Sequence, residues 1–440
     1  MLQRKAVAAL QSWKNENTKQ GLLVTGARQV GKTTSIRMFA AQNYDVFVEI
    51  NFFERPEAVS LIRAASDTQD LLLRITALSD VQLIPGRTLI FFDEIQEFED
   101  ILTWAKFLEE HTAYDYIFSG SLLGVDTFDI RSWPVGFLRM MEMFPLDFEE
   151  FCQANGVADS IMESARASFS QRKPVPGFIH DRLMDLYRKY LMVGGMPHAV
   201  QSYVDSFDLR AIRNIQSDII ALYHRDISKY MKSKVDARFI KALYDAIPSQ
   251  LNKENKRYKF KNTAPKSNAR FTHLETSFDW LEQAGVALPV FRVKEPCYPL
   301  AMHDARSSFK LFMNDIGLLT SRLMGTTDLD ILQGKTSLNY GSLYENAVAQ
   351  ELKAQGFSLH YYNSTKRGEV DFVIEDTVQG TLSLLEIKSG KDYRRHAALN
   401  NLLQVKDYSF DNAFVFCNGN VQSKGAITYL PIYMTSFLSV

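Results

Sequence analysis

The chain has 440 residues, too long for one small binding module and, at roughly 100 to 200 residues per domain, long enough for two to four domains. Hydrophobic residues make up 46% and charged residues 23%, a globular balance that excludes disorder over most of the length. Fifty Lys and Arg against 51 Asp and Glu leave a formal net charge of -1, so any nucleic-acid contact has to come from a local basic face.

Over the first 150 residues apolar runs alternate with helical patterns, as in a parallel sheet with crossover helices. The runs are GLLVTG (21–26), DVFVEINF (45–52), TLIFFDE (88–94), YDYIFSGS (114–121) and LRMMEMFPL (138–146). Directly after the first run, Gly26-Ala27-Arg28-Gln29-Val30-Gly31-Lys32-Thr33 satisfies GxxxxGK[ST] between a strand and a helix, the context the motif requires; Thr34 continues it. Its glycines let backbone N–H groups wrap the phosphates of ATP, Lys32 reaches the β and γ phosphates, and the Thr33 hydroxyl ligates Mg²⁺. A chance glycine turn is the bland alternative. Asp93 and Glu94 end the run LIFF at the carboxyl edge of a strand, where open α/β sheets bind ligands. Asp93 suits the Mg²⁺ shell, and Glu94 suits the water that attacks phosphorus, unless the pair is an ordinary strand-end turn. Ser119, or Ser121 two residues on, ends the next strand as a γ-phosphate sensor or a plain turn serine.

From 151 to 250 the pattern turns helical, with LMDLYRKYLMVGGMPHAVQSYV interrupted by Gly194, Gly195 and Pro197. A helical lid or connector fits it. Between 251 and 270, seven basic residues, Lys253, Lys256, Arg257, Lys259, Lys261, Lys266 and Arg270, face the single acidic Glu254 and interleave with Tyr258 and Phe260. Such a segment suits phosphate contacts with DNA or is a solvated loop. A candidate recognition helix, Ser267 to Gln283, and the strand-like VALPVFRV follow, in the order of a winged helix. His224 and His303 lack partners at ligand spacing and are assigned to structure.

Towards the C-terminus, EVDFVIE and LSLLEIKS are strand-like and flank a turn-like EDTVQG, so an antiparallel hairpin would bring Asp371 beside Glu386. Asp371, then Glu386-x-Lys388, spell the D…ExK pattern of PD-(D/E)xK nucleases, with Glu345 on the preceding helix GSLYENAVAQEL as a fourth group. There Glu345, Asp371 and Glu386 would share Mg²⁺ and Lys388 would position the attacking water. The alternative is a solvated hairpin face.

Cys152, Cys297 and Cys417 are too scattered for a disulfide framework or a CxxC-type metal site, which points to the reducing cytoplasm. No apolar run approaches the roughly 18 to 20 residues that span a bilayer, and the start MLQRKAVAALQSWKNEN turns polar and acidic before a cleavable signal is complete, so no membrane partner is expected.

GARQVGKTT, LIFFDEIQE, IFSGSLLG, FPLDFEEF, YLMVGGMP, KLFMNDIGLL, GSLYENAVAQEL, EVDF and LEIKSG together resemble the AAA-type predicted ATPases of bacteria and archaea. The resemblance implies an α/β architecture of four parts: a P-loop ATPase domain with a parallel sheet (1–150), a helical connector (151–250), a winged-helix-like basic module (251–295) and a restriction-endonuclease-like domain (296–440). It also implies ATP binding and hydrolysis, a nucleic-acid role, and a homo-oligomer or protein partner as an open question. Many relatives carry a Gly-Arg pair before the PLxF motif where this chain has Gly136-Phe137. Arg131 or Arg139 could replace that arginine, as could an arginine supplied in trans.

Overall fold

In the computed structural model the first apolar run, Gly21–Thr25 (β1), is buried at every residue and is flanked on both edges by parallel partners. With Val46–Asn51 (β2), Thr88–Asp93 (β3), Asp115–Ser119 (β4) and Leu138–Glu142 (β5) it makes a five-stranded sheet in the order β2-β3-β4-β1-β5. All four pairings are parallel. The structure describes every residue except 1, 17, 19, 112, 122–135, 232, 254–255, 259–277, 324–339, 391 and 440.

Strands β1 and β3 read as unbroken apolar runs because helices cover both faces of such a sheet. Phe52, Phe92 and Phe118 stack through one layer of the core, with centroids 6.0 and 5.3 Å apart. At the other extreme β5 is an edge strand with Met140 51% exposed.

The second sheet is mixed and eight-stranded. It runs Gln422–Lys424 (β12), Ile427–Pro431 (β13), Asn412–Cys417 (β11), Thr381–Ile387 (β10), Gly368–Asp376 (β9), His360–Ser364 (β8), Ala287–Val293 (β6) and Asp304–Met313 (β7). The hairpin expected from EVDFVIE and LSLLEIKS is there, β9 antiparallel to β10 with Leu385 opposite Phe372. Ala287–Val293, read as part of a winged-helix module ending at 295, is instead an interior strand of this sheet, antiparallel to β7 and parallel to β8. Its apolar run is satisfied by sheet neighbours distant in sequence, which local order cannot reveal.

The chain divides into two compact units. One comprises Gln3–Phe144 with Gln283–Gly285; the other comprises Met1–Leu2, Pro145–Glu282 and Val286–Val440. The helices of the stretch read as a connector therefore belong to the same unit as the eight-stranded sheet. Among the described residues no helix is long and apolar enough to cross a membrane.

Within the larger unit the glycine pair has a packing role. The Gly195 N–H donates to Asp315 Oδ2 at 2.6 Å, and its carbonyl accepts from the Leu146 N–H at 2.7 Å. A Cβ on Gly195 would stand 2.0 Å from the Leu146 carbonyl oxygen. Asp315 is fully buried, and burial pushes its carboxyl up to about 6 against the pull of backbone N–H groups from Gly195, Leu318, Gly317 and Met196. YLMVGGMP and NDIGL are thus two halves of one buried joint.

Candidate functional site

In the N-terminal unit the loop Gly26–Thr33 joins β1 to the helix Lys32–Asn43. Gly26 (φ 136°), Gln29 (φ 65°) and Gly31 (φ 96°) have positive φ, and a Cβ on Gly26 would stand 2.2 Å from the Met143 carbonyl oxygen. Left-handed residues set among right-handed ones gather successive N–H groups into an anion-binding concavity at the positive end of a helix. Arg4 braces the loop from outside, donating to the carbonyls of Val30 and Phe144 at 2.7 Å each. Val30 and Ala27 are buried, Arg28 is half-buried, and Gln29 and Thr34 are exposed.

Lys32 folds back on the loop, its Nζ donating to the carbonyls of Gly26 (2.9 Å) and Ala27 (3.0 Å). Burial lowers its pKa to about 8, partly offset by the charges of Glu94 and Asp93. Asp93, 2% exposed, is the hub of the site. Its Oδ2 accepts from Thr33 Oγ1 at 2.9 Å and Asn51 Nδ2 at 3.2 Å, and its Oδ1 accepts from Ser119 Oγ and from the Glu94 N–H at 3.0 Å. The expected Thr33, Asp93 and Ser119 are therefore brought together, although the Ser119 hydroxyl is engaged by Asp93. Among the described residues Ser121 Oγ is buried without a partner.

The donor set suits magnesium. Thr33 hydroxyl and Asp93 carboxylate are hard oxygen donors 2.9 Å apart at the helix N-terminus, next to the lysine that would face the phosphates. Bound there, the ion would neutralise phosphate charge. Arg139 on β5 is ion-paired with Glu16 at the surface, so it is not aimed at this site. Arg131 lies outside the described residues.

In the larger unit Glu345 and Asp371 are brought together with Glu369 around a lysine absent from the sequence expectations, while Glu386 is paired with Lys388. Lys310 on β7, 1% exposed at its side chain, lies 2.6 Å from Glu369 Oε1, 3.7 Å from Glu345 Oε2 and 3.8 Å from Asp371 Oδ1. Burial alone would lower its pKa, yet Glu345, Glu369 and Asp371 hold it above the ordinary lysine value. Lys256, counted with the basic segment, pairs with Glu345 Oε1, and Lys388 pairs with Glu386 Oε1 at 2.7 Å. Burial raises Glu345, but Lys256 and Lys310 outweigh it and leave the group below the ordinary carboxylate value. Asp371 is pushed well up by burial and by Glu345 and Glu386; its Oδ2 accepts the Ile387 N–H at 2.8 Å.

Among the described residues no group of three or more His, Cys, Asp or Glu side chains has the geometry to hold a metal ion. An ammonium stands where three carboxylates meet, so the residues present do not fit the divalent ion expected there. The sequence signal was a single lysine in the otherwise apolar FKLFM. In the N-terminal site the comparable omissions were Asn51, at the end of β2, and Gln96, two residues beyond Glu94.

His224 and His303 are not alone: His224 Nε2 lies 3.1 Å from Asp245 Oδ1, and His303 Nδ1 lies 3.9 Å from Glu295 Oε2. Of the basic segment, Lys259, Lys261, Lys266, Arg270 and most of the candidate recognition helix lie outside the described residues.

Residues 18–152 match a family model described as an AAA domain. Residues 184–329 and 340–434 match two domains of unknown function, DUF8612 and DUF4143. No curated protein matches the chain. Among solved structures the chain is similar to a Walker-type ATPase of Pyrococcus abyssi (16% identity, 74% of this chain and 96% of that one, TM-score 0.44). It is also similar to the RuvB Holliday junction branch migration motor of Thermotoga maritima (14%, 65% and 89%, TM-score 0.29). Cdc6p of Pyrobaculum aerophilum is a further similar structure (10%, 75% and 93%, TM-score 0.26). These likenesses are too loose to carry an argument. The family match and the P-loop geometry make the N-terminal unit an AAA-type P-loop ATPase domain.

Proposed function

We propose that the chain is a Mg²⁺-dependent ATP hydrolase whose nucleotide state controls a DNA-contacting larger unit. One observation carries the hydrolase reading: Asp93 accepts from Thr33 of the loop and Ser119 of β4 while Glu94, next in the chain, stands at the same strand edge. Backbone N–H groups and Lys32 hold the phosphates, and Glu94 takes the proton of the attacking water. Magnesium, bound through Thr33 and Asp93, supplies charge neutralisation. In steady-state phosphate release, Lys32→Ala should lose nucleotide affinity, whereas Glu94→Gln should keep affinity and lose turnover. Full turnover by Glu94→Gln removes that residue from the chemistry.

For the larger unit the lysine at the centre of the carboxylates favours contact over cleavage. Three of the four carboxylates are paired with Lys256, Lys310 and Lys388, and the fourth, Asp371, is pushed towards its neutral form, so the cluster works as a buried ion-pair core. DNA, in this reading, is met by the basic residues beyond Lys256.

A further inference from the structure

The proton acceptor of the proposed hydrolase is not held by its own backbone alone. Glu94 adopts the left-handed conformation (φ 54°, ψ 46°), which is strained for a residue other than glycine and persists only where neighbours determine it. Gln96, in the short helical turn Ile95–Glu97, donates its Nε2 amide to Glu94 Oε2. Arg28 of the P-loop lies 3.9 Å from the same oxygen.

The other end of the Gln96 amide is unspent. Among the described residues its Oε1 is buried without a hydrogen-bond partner, in a residue 9% exposed. Oε1 packs against Gly120, where a Cβ would stand 2.8 Å from Gln96 Oε1 and 3.0 Å from Ile95 Cγ1. Leaving such an acceptor unmet carries the desolvation penalty of the group, so a donor that arrives with substrate would be held there. Of the neighbouring polar side chains, Ser119, Asn51 and Thr33 all donate to Asp93, while Ser121 Oγ is buried without a partner among the described residues.

We propose that Gln96 is a positioning residue for the attacking water, its amide N–H fixing the Glu94 carboxylate and its Oε1 accepting one of the water's two O–H bonds. This rests on the hydrolase reading above. A water molecule has to have both O–H bonds directed before its lone pair points steadily at phosphorus. One O–H goes to Glu94, which takes that proton as the new O–P bond forms to the γ phosphorus. The bond from the γ phosphorus to the β–γ bridging oxygen breaks, ADP leaves with that electron pair, and the proton on Glu94 returns to solvent. The second O–H stays intact against Gln96 Oε1, so Gln96 acts by orientation and exchanges no proton.

The test is phosphate release and ATP affinity measured on the full chain. Gln96→Ala should lower kcat about 10- to 100-fold, with ATP affinity within about twofold, because misplacing a reacting group taxes the chemical step and not binding. Gln96→Glu keeps the shape but replaces the donor with a second carboxylate, and should be as slow. Gly120→Ala should slow turnover in the same direction without touching Gln96 itself, by displacing its Oε1. In a Glu94→Gln background, Gln96→Ala should cost less than about twofold more, since the two residues serve one water. Losses that multiply, a Gln96→Ala rate within about twofold of wild type, or a Gln96→Ala rate above it overturn the inference while leaving the hydrolase reading intact. A wild type that releases no phosphate overturns both.

Discussion

Replacing Lys310 with methionine keeps most of the side chain and removes the charge that three carboxylates share. Its Nζ has carboxylate oxygens at 2.6, 3.7 and 3.8 Å and is 1% exposed, so no water replaces it in place. Stranding buried charges by deleting one partner costs about 3–5 kcal/mol, and here the loss should sit at the lower end of that range, because Glu345 retains Lys256, Glu369 is 30% exposed and Asp371 is already pushed towards its neutral form. Thermal unfolding of the nucleotide-free chain, followed by a probe in the larger unit, should show this loss in Lys310→Met. The vacated carboxylates should then accept a divalent ion, and Mn²⁺ or Mg²⁺ at about 100 times its Kd should restore about 2.7 kcal/mol. The wild type, measured without nucleotide, should gain nothing from either ion. A wild type stabilised by Mg²⁺, or a Lys310→Met protein as stable as wild type, refutes the ion-pair-core account and returns the cluster to the metal-site expectation.

Burial lowers Lys32 to about 8, and the protonated ammonium is the form that binds phosphate. ATP affinity should therefore be intact below pH 8 and fall as pH rises through it, by up to about tenfold per unit, whereas a flat profile from pH 7 to 9.5 in a fluorescent-nucleotide titration contradicts the lowered value. Gly195→Ala should destabilise the larger unit by about 3 kcal/mol or more in urea unfolding, because the new Cβ meets a backbone carbonyl oxygen at 2.0 Å that cannot yield as a side chain would. DNA affinity, measured against salt, should fall steeply and lose slope when Lys259, Lys261 and Lys266 are reversed in charge; an unchanged slope makes the segment a solvated loop.

What could be read from the chain alone follows the range of the interactions. The strands of the N-terminal sheet and the loop Gly26–Thr33 were legible because period, flanking apolar runs and glycine positions all act within a few residues. The β9–β10 hairpin was legible for the same reason, and with it the approach of Asp371 to Glu386. Lys310 was not, since its partners Glu345, Glu369 and Asp371 lie on elements that local patterns cannot join to β7. Ala287–Val293 was misplaced because its neighbours β7 and β8 are set by the sheet. His224 gained Asp245 from the next helix of the same unit, a partner outside any motif spacing.

The most direct test of the account is the identity of the nucleotide held by Glu94→Gln after incubation with Mg²⁺ and ATP, rapid removal of free nucleotide and chromatography of what remains bound. If Glu94 accepts the water's proton, the variant retains intact ATP while the wild type retains ADP. ADP recovered from Glu94→Gln at the wild-type rate contradicts the account.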